Sequence, residues 1–240
     1  MNARDLIRSL LIGYRRWRGH AARQLPLHGN VMILAPHPDD EVFGCGGAIV
    51  RLTDSGNQPH VVIMSGGGKS HAGCCGTDSR MIINERRRLA VRSACSLGLS
   101  ERNLHFLDFT DGDISSRPAK EVEKLREIIS QTKPDMILVP HRGEGWPDHL
   151  AVRELGLGLA PDGCEVYEYC VWMWYYRQKH LNWTHAYRLR MTPDEHVRKQ
   201  AAITAYNSAS APCGKPWVGV LPKVFILANS NKEELYFVMK

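Results

Sequence analysis

The strongest pattern in the chain is a series of short apolar runs, each closed by a turn and followed by a stretch with helical spacing. Val31-Met32-Ile33-Leu34-Ala35 is apolar throughout and stops at Pro36, as a strand buried on both faces would. His60-Val61-Val62-Ile63-Met64 repeats the pattern and ends in Ser65-Gly66-Gly67-Gly68. Leu104-His105-Phe106-Leu107 and Asp135-Met136-Ile137-Leu138-Val139 are the third and fourth runs. Between them the spacing predicts helices. One has its body at 48–54, after an expected glycine-rich turn at Gly44-Cys45-Gly46-Gly47. A second covers about 82–97, with Gly98 as its stop, and a third covers 119–131, with Val122, Leu125, Ile128 and Ile129 buried. Another helix begins near His149. This alternation implies an α/β fold of the Rossmann-like, doubly wound kind, with helices on both faces of a mostly parallel sheet.

Residues 165–240 are richer in aromatics and read as additional C-terminal strands at 166–176, 186–191 and 224–228. A helix at 193–206, N-capped by Thr192, separates the last two. No repeat or linker divides residues 29–240, so they form one expected domain. Ahead of it, within residues 1–28, Leu6, Ile7, Leu10, Leu11, Tyr14 and Trp17 recur at helical spacing, with Arg8, Arg15, Arg16 and Arg18 between them. Such a basic amphipathic helix either lies on an anionic membrane surface as a peripheral contact or packs its apolar stripe on its own domain; packing is the expected outcome.

Composition changes this picture little. Of 240 residues, 43% are hydrophobic and 23% charged, as in ordinary folded proteins. The formal charge of +6 favours anionic partners. The excess, however, sits in 4–23 and 86–88, neither interleaved with aromatics as a base-stacking surface requires, so nucleic acid is not an expected partner. No apolar run approaches the roughly 18 residues of a membrane span. Seven cysteines and no apolar leader sequence point to a reducing cytoplasm, with the inner membrane surface as a peripheral location. The pair Cys74-Cys75 either chelates a metal, forms a vicinal disulfide or, most simply, consists of free thiols in a loop. No second cysteine pair has zinc-finger spacing.

The chemistry concentrates at strand ends. His37-Pro38-Asp39-Asp40-Glu41 begins where the first apolar run stops, the place where ligands bind in such sheets. His37 and Asp40, three apart on a tight loop, can face one metal ion, and Asp39 can then reach its coordinated solvent. Past the fourth run comes Trp146-Pro147-Asp148-His149. His149 would complete three protein ligands and leave an open position, the arrangement of catalytic zinc. Helix capping alone would account for one or two of these acids, but not for three beside a histidine.

Ala35-Pro36-His37-Pro38-Asp39-Asp40-Glu41, with Gly44, Gly46 and Gly47, closely resembles the opening motif of the LmbE-like (PIG-L) N-acetylglucosaminyl deacetylase family. The resemblance runs over about 31–208 and includes Leu97-Gly98, the 106–112 stretch, Pro147-Asp148-His149, and Lys199, Ala202, Tyr206 and Ser208. It implies one zinc ion per chain on His37, Asp40 and His149, with Asp39 as general base, and an N-acetylated amino sugar or glycoconjugate as substrate. It also implies sugar contacts from Arg86 and Asp111. Glu41 is read as support for the ligands, and Asp148 as orienting an imidazole.

One position departs from the family. Where the family often carries a second histidine to stabilise the oxyanion, this chain has Trp146, whose indole offers one N–H and no transferable proton. His141 and His71 are the expected substitutes, and Trp146 becomes a candidate for stacking on the sugar. Two rival readings remain. A non-haem iron oxygenase also uses two histidines and a carboxylate, though usually with tighter spacing and on a β-barrel. The other is a carbohydrate-binding protein that has lost catalysis. Substrate choice is expected to reside in loops 70–80 and 172–185.

Overall fold

The four apolar runs lie side by side along one half of a single sheet, with the third of them at its edge. The computed structural model describes residues 3–176 and 181–239. In chain order its elements are α1 (Ala3–Gly19), β1 (Arg23–Gln24), β2 (Val31–Ala35), α2 (Asp40–Asp54), β3 (His60–Ser65), α3 (Ser79–Ser96), β4 (Leu104–Phe109), α4 (Ala119–Thr132), β5 (Met136–Pro140), α5 (Pro147–Leu159), β6 (Glu165–Tyr169), β7 (Ala186–Arg190), α6 (Pro193–Ser208), α7 (Lys223–Asn229) and β8 (Glu233–Val238). Among the described residues the sheet has eight strands, in the order β1-β7-β8-β6-β5-β2-β3-β4. Strand β8 runs antiparallel to β6 and β7, and the other pairs are parallel. The expected α/β architecture is therefore present.

Alternation along the central strands makes two cores. Val31, Ile33 and Ala35, Val61 and Ile63, and Met136 and Leu138 join the core that takes in α2, α3 and α6. Met32 and Leu34, Val62 and Met64, and Ile137 and Val139 face the other way, onto α4 and α5. Each strand thus buries both faces, which is why these segments carry no polar alternation.

Helix α2 starts at Asp40, eight residues before the helical body read from sequence, and Gly44, Gly46 and Gly47 lie inside it rather than in a turn. Close packing is the reason. A Cβ at position 44 would overlap the Tyr169 ring, one at 46 would press on the Lys199 stem, and one at 47 would meet Met191. The glycines let α2 lie directly on β6 and α6.

The C-terminal third corrects two expectations. Residues 224–228 are helical, within α7, with Phe225 and Ala228 buried and Leu227 exposed, and the strand comes later, as β8. The strand expected over 166–176 ends at Tyr169, and Trp172–Trp174 forms a 3-10 turn. The turn wraps onto the Glu144 carboxylate, which accepts the backbone N–H groups of Val171, Trp172 and Met173 at 2.9, 2.6 and 3.1 Å. Of the 172–185 loop, residues 177–180 lie outside the described residues.

Helix α1 also packs differently from expectation. Ile12 is buried, and so is Arg15, whose guanidinium donates to the Met173 carbonyl. Arg16 donates to the carbonyls of Leu227 and Ala228, satisfying the end of α7. Of the predicted stripe, Leu6, Ile7, Leu10, Tyr14 and Trp17 remain exposed, Leu10 at 67% and Trp17 at 66%, and Leu11 is half-buried. Among the described residues no helix is long and apolar enough to cross a membrane.

Candidate metal centre and cleft

After β2 the chain proceeds outward through β3 and β4, then returns to β5 on the other side of β2. A crevice opens at this switch point, and the first turns of α2 and α5 flank it. The loop between β2 and α2 turns at Asp39, whose φ of 126° and ψ of −31° are rarely adopted by a residue with a side chain. Its neighbours hold that conformation. The Asp39 N–H donates to Glu41 Oε2 at 2.9 Å, and the Tyr206 hydroxyl donates to Glu41 Oε1 at 2.6 Å. Backbone strain of this kind persists only where the surroundings over-determine it.

Arg86 reaches in from α3, donating to Pro38 O at 2.6 Å and Gly67 O at 3.0 Å, with its Nη2 3.4 Å from Asp39 Oδ1. Gly67, at φ +64°, gives the guanidinium the room a Cβ would occupy. Burial pushes the Asp39 carboxyl well above its usual pKa; Arg86 opposes that rise, and Asp40 and Glu41 add to it.

His37 Nδ1 lies 3.2 Å from Asp40 Oδ2, and His149 Nε2 lies 3.4 Å from the same oxygen. Their ligand atoms and that of Asp40 all fall within 4.8 Å of one another. The outer nitrogens face other carboxylates. His149 Nδ1 is 3.3 Å from Glu144, while His37 Nε2 is 3.2 Å from both Asp148 and Asp111. The bond from His37 Nε2 to Asp148 turns the His37 Nδ1 lone pair inward, and His149 Nε2 faces the same Asp40 oxygen while its buried Nδ1 is left without a hydrogen bond, so the donor set of two nitrogens and one oxygen fits a divalent cation.

A second grouping, His37 with Asp111 and Asp148, fits less well. Asp148 is already engaged by the amides of Gly112 and Ile114 at 2.7 and 3.2 Å, and Asp111 by the Lys69 amide at 2.6 Å. Burial alone would raise the Asp111 pKa, but His37, the Lys69 amide and Arg86 bring it down to about 2. Burial would likewise lower His37, yet Asp111, Asp148 and Asp40 hold it well above its usual value. The pocket is therefore organised to receive positive charge.

These groups line one end of a cleft of about 510 Å³, within the usual size for small-ligand sites. Trp146, Trp172, Val218 and Leu221 line it too, and the two indoles meet edge-on with centroids 5.6 Å apart. The cleft brings together His37, Asp39, Asp40, Arg86, Asp111, Trp146 and His149.

It does not include His141 or His71. His141 is buried against Phe237, and its Nδ1 accepts the Gly143 N–H at 2.9 Å. His71 is buried in a cluster of cysteines. Neither imidazole is placed to act on a substrate in the cleft, which corrects the expectation of an oxyanion donor there.

The model of the GlcNAc-PI de-N-acetylase family, PIG-L, matches residues 32–160, more than half of the chain. The chain belongs to the PIG-L family. Among similar proteins, a diacetylchitobiose deacetylase from Thermococcus kodakarensis is 32% identical over 133 residues, 53% of this chain and 47% of that protein. A 2'-N-acetylparomamine deacetylase from Streptomyces fradiae is 27% identical over 149 residues, 56% of this chain and 53% of that protein. The chain thus spans about half the length of the curated relatives it matches. In three dimensions it is similar to an N,N'-diacetylchitobiose deacetylase from Pyrococcus horikoshii, with a TM-score of 0.60, 20% identity, and coverage of 88% of this chain and 81% of that one. That likeness supports the fold.

The PIG-L match covers both motifs that build the centre, and it stops before the residues that complete the cleft, from Trp172 to Leu221. Glu144 went unnoticed in the sequence. It is fully buried, takes three backbone N–H groups and faces His149, yet its one trace is a lone acid in the loop ahead of Trp146. The tie from Tyr206 to Glu41, 165 residues apart, was equally silent.

Proposed function

We propose that this PIG-L chain hydrolyses the N-acetyl group of an amino sugar or its glycoconjugate, using one zinc ion held by His37, Asp40 and His149. The observation that carries this reading is the meeting of those three side chains beside Asp39 at the polar end of a sugar-sized cleft. A divalent cation bound there supplies a nucleophile near neutral pH and stabilises charge developing at the acyl oxygen.

The remaining steps belong to the chain's own residues. Asp39, its proton affinity raised by burial, takes a proton from the attacking water and delivers it to the sugar nitrogen as the C–N bond breaks. Acetate and a free amine leave. Arg86 fixes the Asp39 carboxylate through its contacts with Pro38 and Gly67. Asp111, ionised and beside the polar end, accepts from sugar hydroxyls, while Trp146 and Trp172 offer faces on which a sugar ring stacks. Without a second imidazole at position 146, proton transfer falls to Asp39.

The test is a panel of N-acetylated glycosides incubated with zinc-loaded protein, assayed for free amine and acetate. Amine and acetate released in equal amounts from at least one glycoside is the expected result. No release from any of them, or stoichiometric iron with oxygen uptake, would remove the hydrolase reading.

The exposed apolar stripe of α1 supports a second proposal, peripheral contact with an anionic membrane surface, because Arg4 and Arg8 accompany it. Co-sedimentation with anionic but not neutral vesicles is the expected behaviour, and equal recovery from both would refute it.

A further inference from the structure

The loop that follows β3 and the segment between α6 and α7 meet at four side chains unrelated to the centre above. His71, Cys74, Cys75 and Cys213 place their ligand atoms within 4.8 Å of one another, although His71 and Cys213 are 142 residues apart in sequence. We propose that these four residues form a second, structural zinc site that pins the two segments together.

Histidine orientation is the first support. His71 is 2% exposed, and its Nε2 lies 2.9 Å from the Pro216 carbonyl, an acceptor that fixes the proton on that nitrogen. Nδ1 is left with a lone pair, and it faces Cys75, Cys213 and Cys74 Sγ at 3.5, 3.5 and 3.9 Å. Anchoring of the outer nitrogen by a carbonyl is the usual support for a metal-bound imidazole.

Spacing is the second. Tetrahedral zinc, with bonds of about 2.3 Å to sulfur and about 2.0–2.1 Å to nitrogen, sets N and S about 3.6 Å apart. The three N–S separations lie around that value. A disulfide would use two of the three sulfurs and leave the imidazole lone pair unfilled.

Charge is the third. Three thiolates and Zn²⁺ carry a net negative charge, and Lys215 Nζ donates to Cys74 Sγ at 3.1 Å, where a compensating cation belongs. The backbone is shaped to the same end: Cys74 N–H closes a turn on His71 O at 3.0 Å, and Gly214 N–H one on Ala211 O at 2.8 Å. With four protein ligands the site has no open position, so its role is structural.

Its location gives that role a consequence. Lys69 and Ser70, just before His71, line the cleft, as do Val218 and Leu221, just after Cys213. The ion would fix the separation of these two walls, and its loss would loosen the cleft without touching the ligands of the catalytic centre. The inference stands apart from the hydrolase reading, because its readouts concern metal and thiolate alone.

The test uses zinc content and cobalt(II) spectra of the full chain, prepared under reducing conditions. Thiolate-to-cobalt charge transfer in the near-ultraviolet reports the sulfur site alone, since His37, Asp40 and His149 carry no sulfur. The wild type is expected to hold two zinc ions and to show the cobalt band. His149→Ala should hold one and keep the band, and Cys213→Ser should hold one and lose it. Should Cys213→Ser fail to fold, the wild-type band and the Cys75→Ala variant decide. A wild type without the band, zinc content unchanged by Cys213→Ser, or a disulfide among the three cysteines in a peptide map would overturn the proposal.

Discussion

At His37 the imidazole is surrounded by carboxylates, Asp40 on one nitrogen and Asp148 and Asp111 on the other; at His71 it faces three sulfurs and is anchored by a backbone carbonyl. The first cluster grows from strand ends and helix starts next to the sheet, and an open cleft covers its remaining side. The second hangs between two surface loops and is closed at all four corners. Both rely on the same device, an outer imidazole nitrogen pinned by an acceptor, yet the donor count separates chemistry from stapling. Hard donors with a vacant face suit a reaction, and a full soft set suits a clasp.

The largest break in this comparison comes from His149→Ala, which should abolish both metal at the first cluster and turnover, while the cysteine cluster keeps its ion; metal analysis beside an amine-release assay reads both. Asp39→Asn should lower turnover by about 10²- to 10⁴-fold, the usual contribution of a positioned general base, while zinc content stays that of the wild type. Glu144→Gln removes the charge behind His149. Metal affinity at the carboxylate-backed centre should then weaken by about 10- to 100-fold, measured by competition with a chelator, with no change at the sulfur site.

Smaller effects test the scaffold. Tyr206→Phe takes the hydroxyl from Glu41, whose pKa burial has already raised to about 7, and leaves a buried acceptor unmet. Denaturant unfolding should show a loss of about 1–3 kcal/mol, accompanied by reduced turnover as Asp39 relaxes. His141 provides the smallest. Desolvation, aided by Arg142 and Arg153, lowers its pKa from 6.5 to about 3, and Glu168, 3.6 Å away, is already engaged by Arg153. The unfolded chain therefore binds a proton that the folded chain refuses, so stability falls as pH drops from about 6.5 toward 3. His141→Gln should make that acid-side loss shallower in unfolding curves taken across the range. An unchanged slope would show that His141 is not held neutral.

The parallel half of the sheet was legible because each central strand is apolar on both faces and each helix carries its own period. The three residues proposed to hold the metal were legible for a related reason: His37 and Asp40 sit on one loop, and strand order brings His149 to them. What stayed hidden depends on partners remote in sequence. Gly44, Gly46 and Gly47 look like a turn until Tyr169, Lys199 and Met191 are seen pressing on them. The segment 224–228 has a strand-like composition, but it becomes a helix that buries Phe225 and Ala228 and leaves Leu227 outside. Cys74 and Cys75 lacked a visible second pair, since their partners are a histidine three residues back and a lone cysteine far ahead.

Everything proposed for the cleft depends on His37, Asp40 and His149 sharing one cation at its end. An anomalous difference map collected at the zinc absorption edge, from crystals of zinc-loaded protein, tests it most directly. The expected result is a peak bonded to His37 Nδ1, Asp40 and His149 Nε2, with Asp39 beside it and not among its ligands. No peak there in a protein that still releases amine, or a peak that uses Asp39 as a ligand, would contradict it.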